Sequence, residues 1–250
     1  MMNWLEPIIA DIIILAKPSL FNIYFAASSI PIGFLFAIGL TLMRASNSKI
    51  ISSIAAMYIY AFRGSPLFIQ FFMFYSIFLS LNLTVWKPLG IDWLILHPLF
   101  LGPMVLILNT AAYTAQILYG AYQNVPKGEL EAARAFGMSR TREFISITWP
   151  NMIRLAWPAY TNEVVFLFHS TALVYFTLPV INEQKDLMNK AGELFERDYN
   201  VFLHFSVAAL YYLAISFAIF ICFGIFYKYL MRHTSGDSPR KIKFSPKYIR

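Results

Sequence analysis

The sequence predicts an all-α integral membrane protein: five transmembrane helices, with a short capped helix in the cytoplasmic loop between the third and the fourth. Composition points there first. Of 250 residues, 58% are hydrophobic, 18% aromatic and only 13% charged, a mix that suits lipid better than water. Charge-free runs point there next: Pro18–Met43, Gly64–Trp86, Trp93–Pro126, Val164–Asn182 and Tyr199–Tyr227 contain no Asp, Glu, Lys or Arg. Each matches the ~20 apolar residues that a helix needs to cross a hydrocarbon core. The third observation is that basic residues crowd into alternate connecting segments.

Taken in order, residues Met1–Lys17 carry Glu6 and Asp11 and lack the basic start of a signal peptide, so the first span, near 20–43, reads as an uncleaved anchor. The second span is placed near 58–80 and the third near 99–122, followed by a loop at 123–156. The fourth lies near 157–180 and the fifth near 201–227. Pro31 and Pro66 predict kinks, tolerated where neighbouring groups satisfy the freed carbonyls. No Gly/Ser linker and no repeat divides the chain, so residues 1–250 form one domain. The single cysteine, Cys222, excludes an intrachain disulfide.

Orientation follows from the positive-inside rule. Segments 44–57, 123–156 and 228–250, together with Arg63, hold fifteen of the twenty Lys and Arg residues; segments 1–19, 81–98 and 181–200 hold five. The amino terminus is therefore expected outside, and the loop and the carboxyl terminus in the cytoplasm. The net charge of +7 is explained by this topology and by anionic lipid at the inner face, with no need of a nucleic-acid partner.

The 123–156 loop is the most informative stretch. Pro126 opens a helix, Glu129 and Glu131 sit in its first turn, and Gly137 closes it. Ala132, Ala133 and Ala135 leave its backbone open to a partner surface, with Arg134 and Phe136 projecting as anchors. A solvated loop helix is the plainer alternative.

At these residues the chain resembles the permease subunits of bacterial ATP-binding-cassette importers. That family's signature runs Glu-Ala-Ala, three residues, Gly, nine residues, Ile, one residue, Leu-Pro. Here Glu131-Ala132-Ala133, Gly137, Ile147 and Pro150 fall in register, with Trp149 in place of Leu. Three further blocks resemble the polar amino-acid branch: Arg63-Gly64-Ser65-Pro66-Leu67-Phe68-Ile69-Gln70, Asn109-Thr110-Ala111-Ala112-Tyr113, and Asn162-Glu163 followed by His169-Ser170-Thr171-Ala172-Leu173. Many members have an acid at the Gln116 place and Lys at the His169 place. The last block is most like subunits that serve histidine, arginine, lysine, ornithine or opines.

The resemblance implies a bacterial inner-membrane assembly. Two permease subunits, this chain and a related one, form the pore; two ATPase subunits dock from the cytoplasm, and an external binding protein delivers the solute. Glu131, Ala132, Ala133, Arg134 and Gly137 would make the ATPase-coupling helix. The chain has no Gly-x-x-x-x-Gly-Lys-Ser/Thr loop to cradle phosphates, so ATP and magnesium are expected on the ATPase and no cofactor on this chain.

Candidates for the substrate path are Glu163, Asn162, Ser170 and Thr171. An acid at the centre of a membrane helix costs roughly 2.5–3.5 kcal/mol, so Glu163 needs compensation. Either it faces the pore and attracts a cationic substrate, worth up to about 4 kcal/mol at moderate dielectric, or it pairs with a neighbouring helix or snorkels. By the 3.6-residue period Ser170 and Thr171 share its face, and either line the same cavity or make helix–helix contacts. Arg63 is a gate or interface charge, or one half of an ion pair.

Other classes fit less well. An intramembrane enzyme needs convergent acid, base and nucleophile, yet Glu163 and His169 do not share a side of their helix. A channel or receptor leaves the Glu-Ala-Ala loop unexplained. His97, His204 and His233 have no ligand spacing, so no metal site is expected.

Overall fold

The computed structural model describes residues 5–180 and 185–232, and the regular elements among them are all helical. His233 and the rest of the basic tail lie outside the described residues, as does Glu183.

Helix α1, Leu5–Arg44, has 40 residues and begins well before the span expected near 20–43. At 1.5 Å per residue it is about 60 Å long, twice the ~30 Å hydrocarbon core. Its N-terminal third is used for packing. Leu15 is buried in a cluster with Leu187, Ala191, Leu194, Val207 and Ala208. Asp11 of this segment lies 2.6 Å from His204 Nδ1, while His204 Nε2 lies 2.8 Å from Asp198.

The second span is not one helix. Helix α2, Lys49–Gly64, meets α3, Leu67–Ser80, at 106°. Pro66 causes the break, because its ring excludes the helical conformation for the residue before it, and Ser65 is extended at φ −112°, ψ 141°. The kink expected within 58–80 is thus a complete turn.

After the short α4, Asp92–Ile95, comes α5, Pro98–Gln123. Pro98 opens it at a position that needs no N–H donor, and His97 Nδ1 accepts from the Leu99 amide at 3.2 Å. Helix α5 is the axis of the molecule: 61% of its most apolar stretch is buried. Its most extensive partner is α1. The two approach closely at Gly33, where an added Cβ would collide with the Thr110 methyl group.

The 123–156 loop contains α6, Lys127–Ala135, and α7, Arg140–Glu143; a π-helical turn, Phe144–Thr148, then feeds into α8, Trp149–Ser170. A 3₁₀ turn at Thr171–Leu173 leads to α9, Val174–Thr177. Asp186 caps α10, Leu187–Asp198, accepting from the Asn189 amide at 2.8 Å. Asn200 caps α11, Val201–Met231, accepting from the Leu203 amide at 3.1 Å. Only 6% of the apolar stretch of α11 is buried, which makes it the peripheral helix.

Among the described residues, helices α1, α5 and α11 are long and apolar enough to cross a membrane, and the bent α2–α3 pair counts as a fourth where the two halves are taken as one span. Helix α8 has 22 residues but carries Asn151, Arg154, Asn162 and Glu163, and is not among them.

Candidate functional site

The loop helix is built from local signals. Pro126 stands at its N-cap, and Gly137 follows its end at φ +78°, the left-handed conformation that glycine takes without penalty. Glu129 alone occupies the first turn; Glu131, expected there too, opens the second. Glu131, Ala132, Ala135 and Phe136 are exposed, Phe136 to 91%.

Two residues behave differently from the sequence expectation. Ala133 is buried, so the small-residue face is split and one alanine packs inward. Arg134 is not a free anchor: its Nε and Nη2 donate to the two Glu143 oxygens at 2.8 and 2.9 Å, a forked geometry that fixes direction as well as distance. This pair holds the Glu143 carboxyl below the usual carboxylate range. Asn151 donates to Glu129 at 2.6 Å, so α6 is tied to α7 through Arg134 and to α8 through Glu129. A cleft of about 650 Å3 lies beside it, lined by Asn47, Tyr122, Leu130, Arg134 and Phe144 among others.

Along α8 and the turn that follows it, the four path candidates separate. Asn162 is exposed on a face of α8 that also bears Leu155, Phe166 and His169. Glu163 points the other way, buried, and accepts from Thr110 Oγ1 at 3.0 Å. Ser170 is buried and donates to the Phe166 carbonyl at 2.8 Å. Thr171 is fully buried; it donates to the Phe168 carbonyl at 2.7 Å and accepts from Asn22 at 2.9 Å. Asn22 also donates to Tyr212 and accepts from the Leu187 amide, so Thr171 belongs to a knot that joins α1, α10 and α11.

Arg63 ends α2 exposed, with its guanidinium 5.3 Å from the Tyr113 ring centroid. Tyr113 in turn lies 6.4 Å from Phe166. Arg63 forms no ion pair among the described residues. Arg63, Tyr113, Phe166 and Asn162 thus follow one another along the open side of α5 and α8, with Glu163 behind them.

Comparison with known proteins bears on this arrangement. The family model described as binding-protein-dependent transport system inner membrane component matches residues 29–236. The chain belongs to this family. It is 36% identical to the histidine/lysine/arginine/ornithine transport system permease protein HisM of Salmonella typhimurium, over 86% of this chain and 89% of that one. It is 37% identical to the nopaline transport system permease protein NocM of Agrobacterium fabrum, over 76% of this chain and 77% of the relative. Among solved structures, an amino acid ABC transporter crystallised with histidines superposes with a TM-score of 0.70 at 23% identity, over 86% of this chain and 93% of that one. The MetNI methionine ABC transporter in an inward-facing conformation gives 0.66 at 15%, over 86% and 95%. These two likenesses establish a permease fold.

For this inner membrane component, sequence reasoning missed the roles of Gln70 and Asn109. Gln70 is 2% exposed and donates to the Phe62 carbonyl at 2.8 Å, to the Ser65 carbonyl at 3.1 Å and to the Ser65 hydroxyl at 2.9 Å. Both carbonyls are left without helical partners by the α2–α3 break. Two amides in apolar spans, one of them four residues after a proline, were the available signal. His169 Nε2, 2.7 Å from Ser216 Oγ, joins α8 to α11 and was not foreseen either.

Proposed function

We propose that this chain is the translocating permease subunit of an ATP-driven importer that carries a basic amino acid into the cytoplasm. The observation that carries it is the order of side chains along the open side of α5 and α8: Arg63, Tyr113, Phe166 and Asn162 in front, and buried Glu163 behind, held among the described residues by the Thr110 hydroxyl. An acid kept at membrane depth without an ion-pair partner among the described residues is suited to a cationic substrate. The relatives named for histidine, lysine, arginine and ornithine transport agree with that chemistry.

In this role α8 is the fourth of five spans and the α2–α3 pair is the second, with the amino terminus outside and the carboxyl terminus in the cytoplasm. Helix α6 docks on the ATPase, which holds the nucleotide and magnesium; the Arg134–Glu143 pair lets α6 and α7 move as one body. A related second permease subunit completes the pore, and an external binding protein supplies the solute. A second reading is an opine importer, favoured by the nopaline and octopine relatives.

Reconstitution tests both. The chain, its partner permease, its ATPase and its binding protein are placed in proteoliposomes, and uptake of arginine, histidine, a neutral amino acid and an opine is compared. ATP-dependent uptake of the basic amino acids is the expected result. Uptake of the neutral amino acid alone, or uptake without ATP, would overturn the proposal.

A further inference from the structure

Two cavities adjoin along residues 14–24 of α1. One, of about 320 Å3, is polar and is lined by Lys17, Phe21, Lys185, Lys190 and Glu193 among others. The other, of about 270 Å3, is an apolar groove formed by Leu20, Phe21, Tyr24 and Leu99, with Lys17 at its rim. They share Lys17 and Phe21, so the groove continues the cup. Tyr24 donates its hydroxyl to the Leu99 carbonyl at 3.0 Å, which fixes the groove wall between α1 and the start of α5.

The cup is over-supplied with positive charge. Lys185 and Lys190 both reach Glu193 Oε2, at 2.7 and 2.9 Å, while Arg197 reaches Oε1 at 2.5 Å. Lys17 makes no ion pair among the described residues and is exposed. Among the described residues the cup is thus lined by three cations, Lys17, Lys185 and Lys190, and one carboxylate, Glu193. Lys185 and Lys190 hold the Glu193 carboxyl down at about 2, so it stays ionised and the excess persists across physiological pH. Lysine ammoniums offer three donors each and suit phosphate oxygens.

The order of the two cavities identifies the ligand. Lys17, Leu20, Phe21 and Tyr24 follow at three- and four-residue spacing on one helix face, and Leu20 and Tyr24 are 61% and 45% exposed. The surface passes from cationic to apolar within about 10 Å along the axis, as a phospholipid passes from phosphate to acyl chain. A free anion or an acidic protein patch would use the cup but has no use for the groove. We propose that this is a binding site for one anionic phospholipid, its phosphate held by Lys17, Lys185 and Lys190 and one acyl chain laid along Leu20, Phe21, Tyr24 and Leu99. The leaflet follows from the proposed topology and is the outer one; the binding itself depends on neither the topology nor the transported solute.

The test uses the chain purified with its partner permease and ATPase in neutral detergent, titrated with phosphatidylglycerol or phosphatidylcholine and read by native mass spectrometry. One phosphatidylglycerol per copy of this chain should be retained at concentrations where phosphatidylcholine is not. Lys17→Gln breaks no ion pair and should lower that retention several-fold. Lys17→Gln with Lys190→Gln should abolish it, and Leu20→Trp should weaken it by filling the groove while leaving every charge in place. Equal retention of both lipids, or undiminished phosphatidylglycerol in the double variant, would overturn the site. Competition by inorganic phosphate with no effect of Leu20→Trp would reduce it to an anion site. Unchanged lipid retention with lost capture of the external binding protein would make the cup that protein's dock and refute the lipid.

Discussion

Asn109 donates its side-chain amide to Gln70 Oε1 at 3.0 Å, so a residue on the central helix steadies the residue that closes the break between α2 and α3. Asn109 also reaches the Phe62 carbonyl, at 3.5 Å. Two buried amides therefore satisfy what Pro66 leaves exposed, and the corner beside Arg63 is rigid.

The first prediction concerns this corner. Gln70→Ala leaves the Ser65 carbonyl without its amide donor and the Phe62 carbonyl with only the long bond from Asn109, at about 1–3 kcal/mol for a stranded group before relaxation, and Asn109→Ala removes its support. Each variant should lower the melting temperature of the detergent-solubilised chain, Gln70→Ala by more. Because they share one network, the double variant should lose less than the two single losses combined. Additive losses would show that the two amides act separately.

At Gly137 the prediction separates backbone from packing. Nothing lies within 4 Å of where a Cβ would stand, so a substitution is penalised only through φ +78°, by roughly 1–2 kcal/mol for an ordinary residue and less for Asn. Gly137→Val should uncouple ATP hydrolysis from uptake while the protein still inserts, and Gly137→Asn should retain most coupling. Ala133→Trp, at a buried position, should displace α6 and uncouple fully. Wild-type uptake in Gly137→Val and Ala133→Trp would remove α6 from the coupling path.

The Arg134–Glu143 pair carries a signed pH expectation. Arg134 holds the Glu143 carboxyl below its ordinary value, which in free glutamate is about 4.3. A lowered carboxyl contributes its full stability above that value and loses it as pH falls through the lowered one. The contribution of this pair to coupled uptake should therefore not change with pH between pH 6 and 8. Glu143→Gln should reduce the uptake achieved per ATP at every pH in that range, and Arg134→Glu with Glu143→Arg should restore part of it. A loss confined to one end of the range would contradict the assignment.

Substrate charge is tested at Glu163. Glu163→Gln keeps the hydrogen bond from Thr110 and the volume but removes the charge. Arginine uptake in proteoliposomes should fall at least ten-fold and citrulline uptake much less. Equal losses would assign Glu163 to packing; no loss for either would take it out of the path.

Topology has its own measurement. A reporter fused after Arg250 should be cytoplasmic, and a cysteine replacing Asn189 on α10 should react with an impermeant reagent from outside. Reaction and reporter on the same side would rule out five crossings.

What the sequence determined by itself is whatever depends on local chemistry. Apolar runs set the helical membrane class, Pro126 and Gly137 set the ends of α6, and the Glu-Ala-Ala register was enough to recognise the family. These signals act within one or two turns, so they are readable in order along the chain. Tertiary structure decided the rest. Pro66 breaks the helix, but the 106° corner is held in place because Gln70 and Asn109, thirty-nine residues apart, converge on the freed carbonyls. Arg134 looked like an anchor until folding brought Glu143 beneath it. Glu163, Ser170 and Thr171 share a face by periodicity, yet only packing against Thr110 and Asn22 showed that this face turns inward and leaves Asn162 outside. Period gives the angle between side chains on a helix; which angle meets a neighbour is fixed by the other helices.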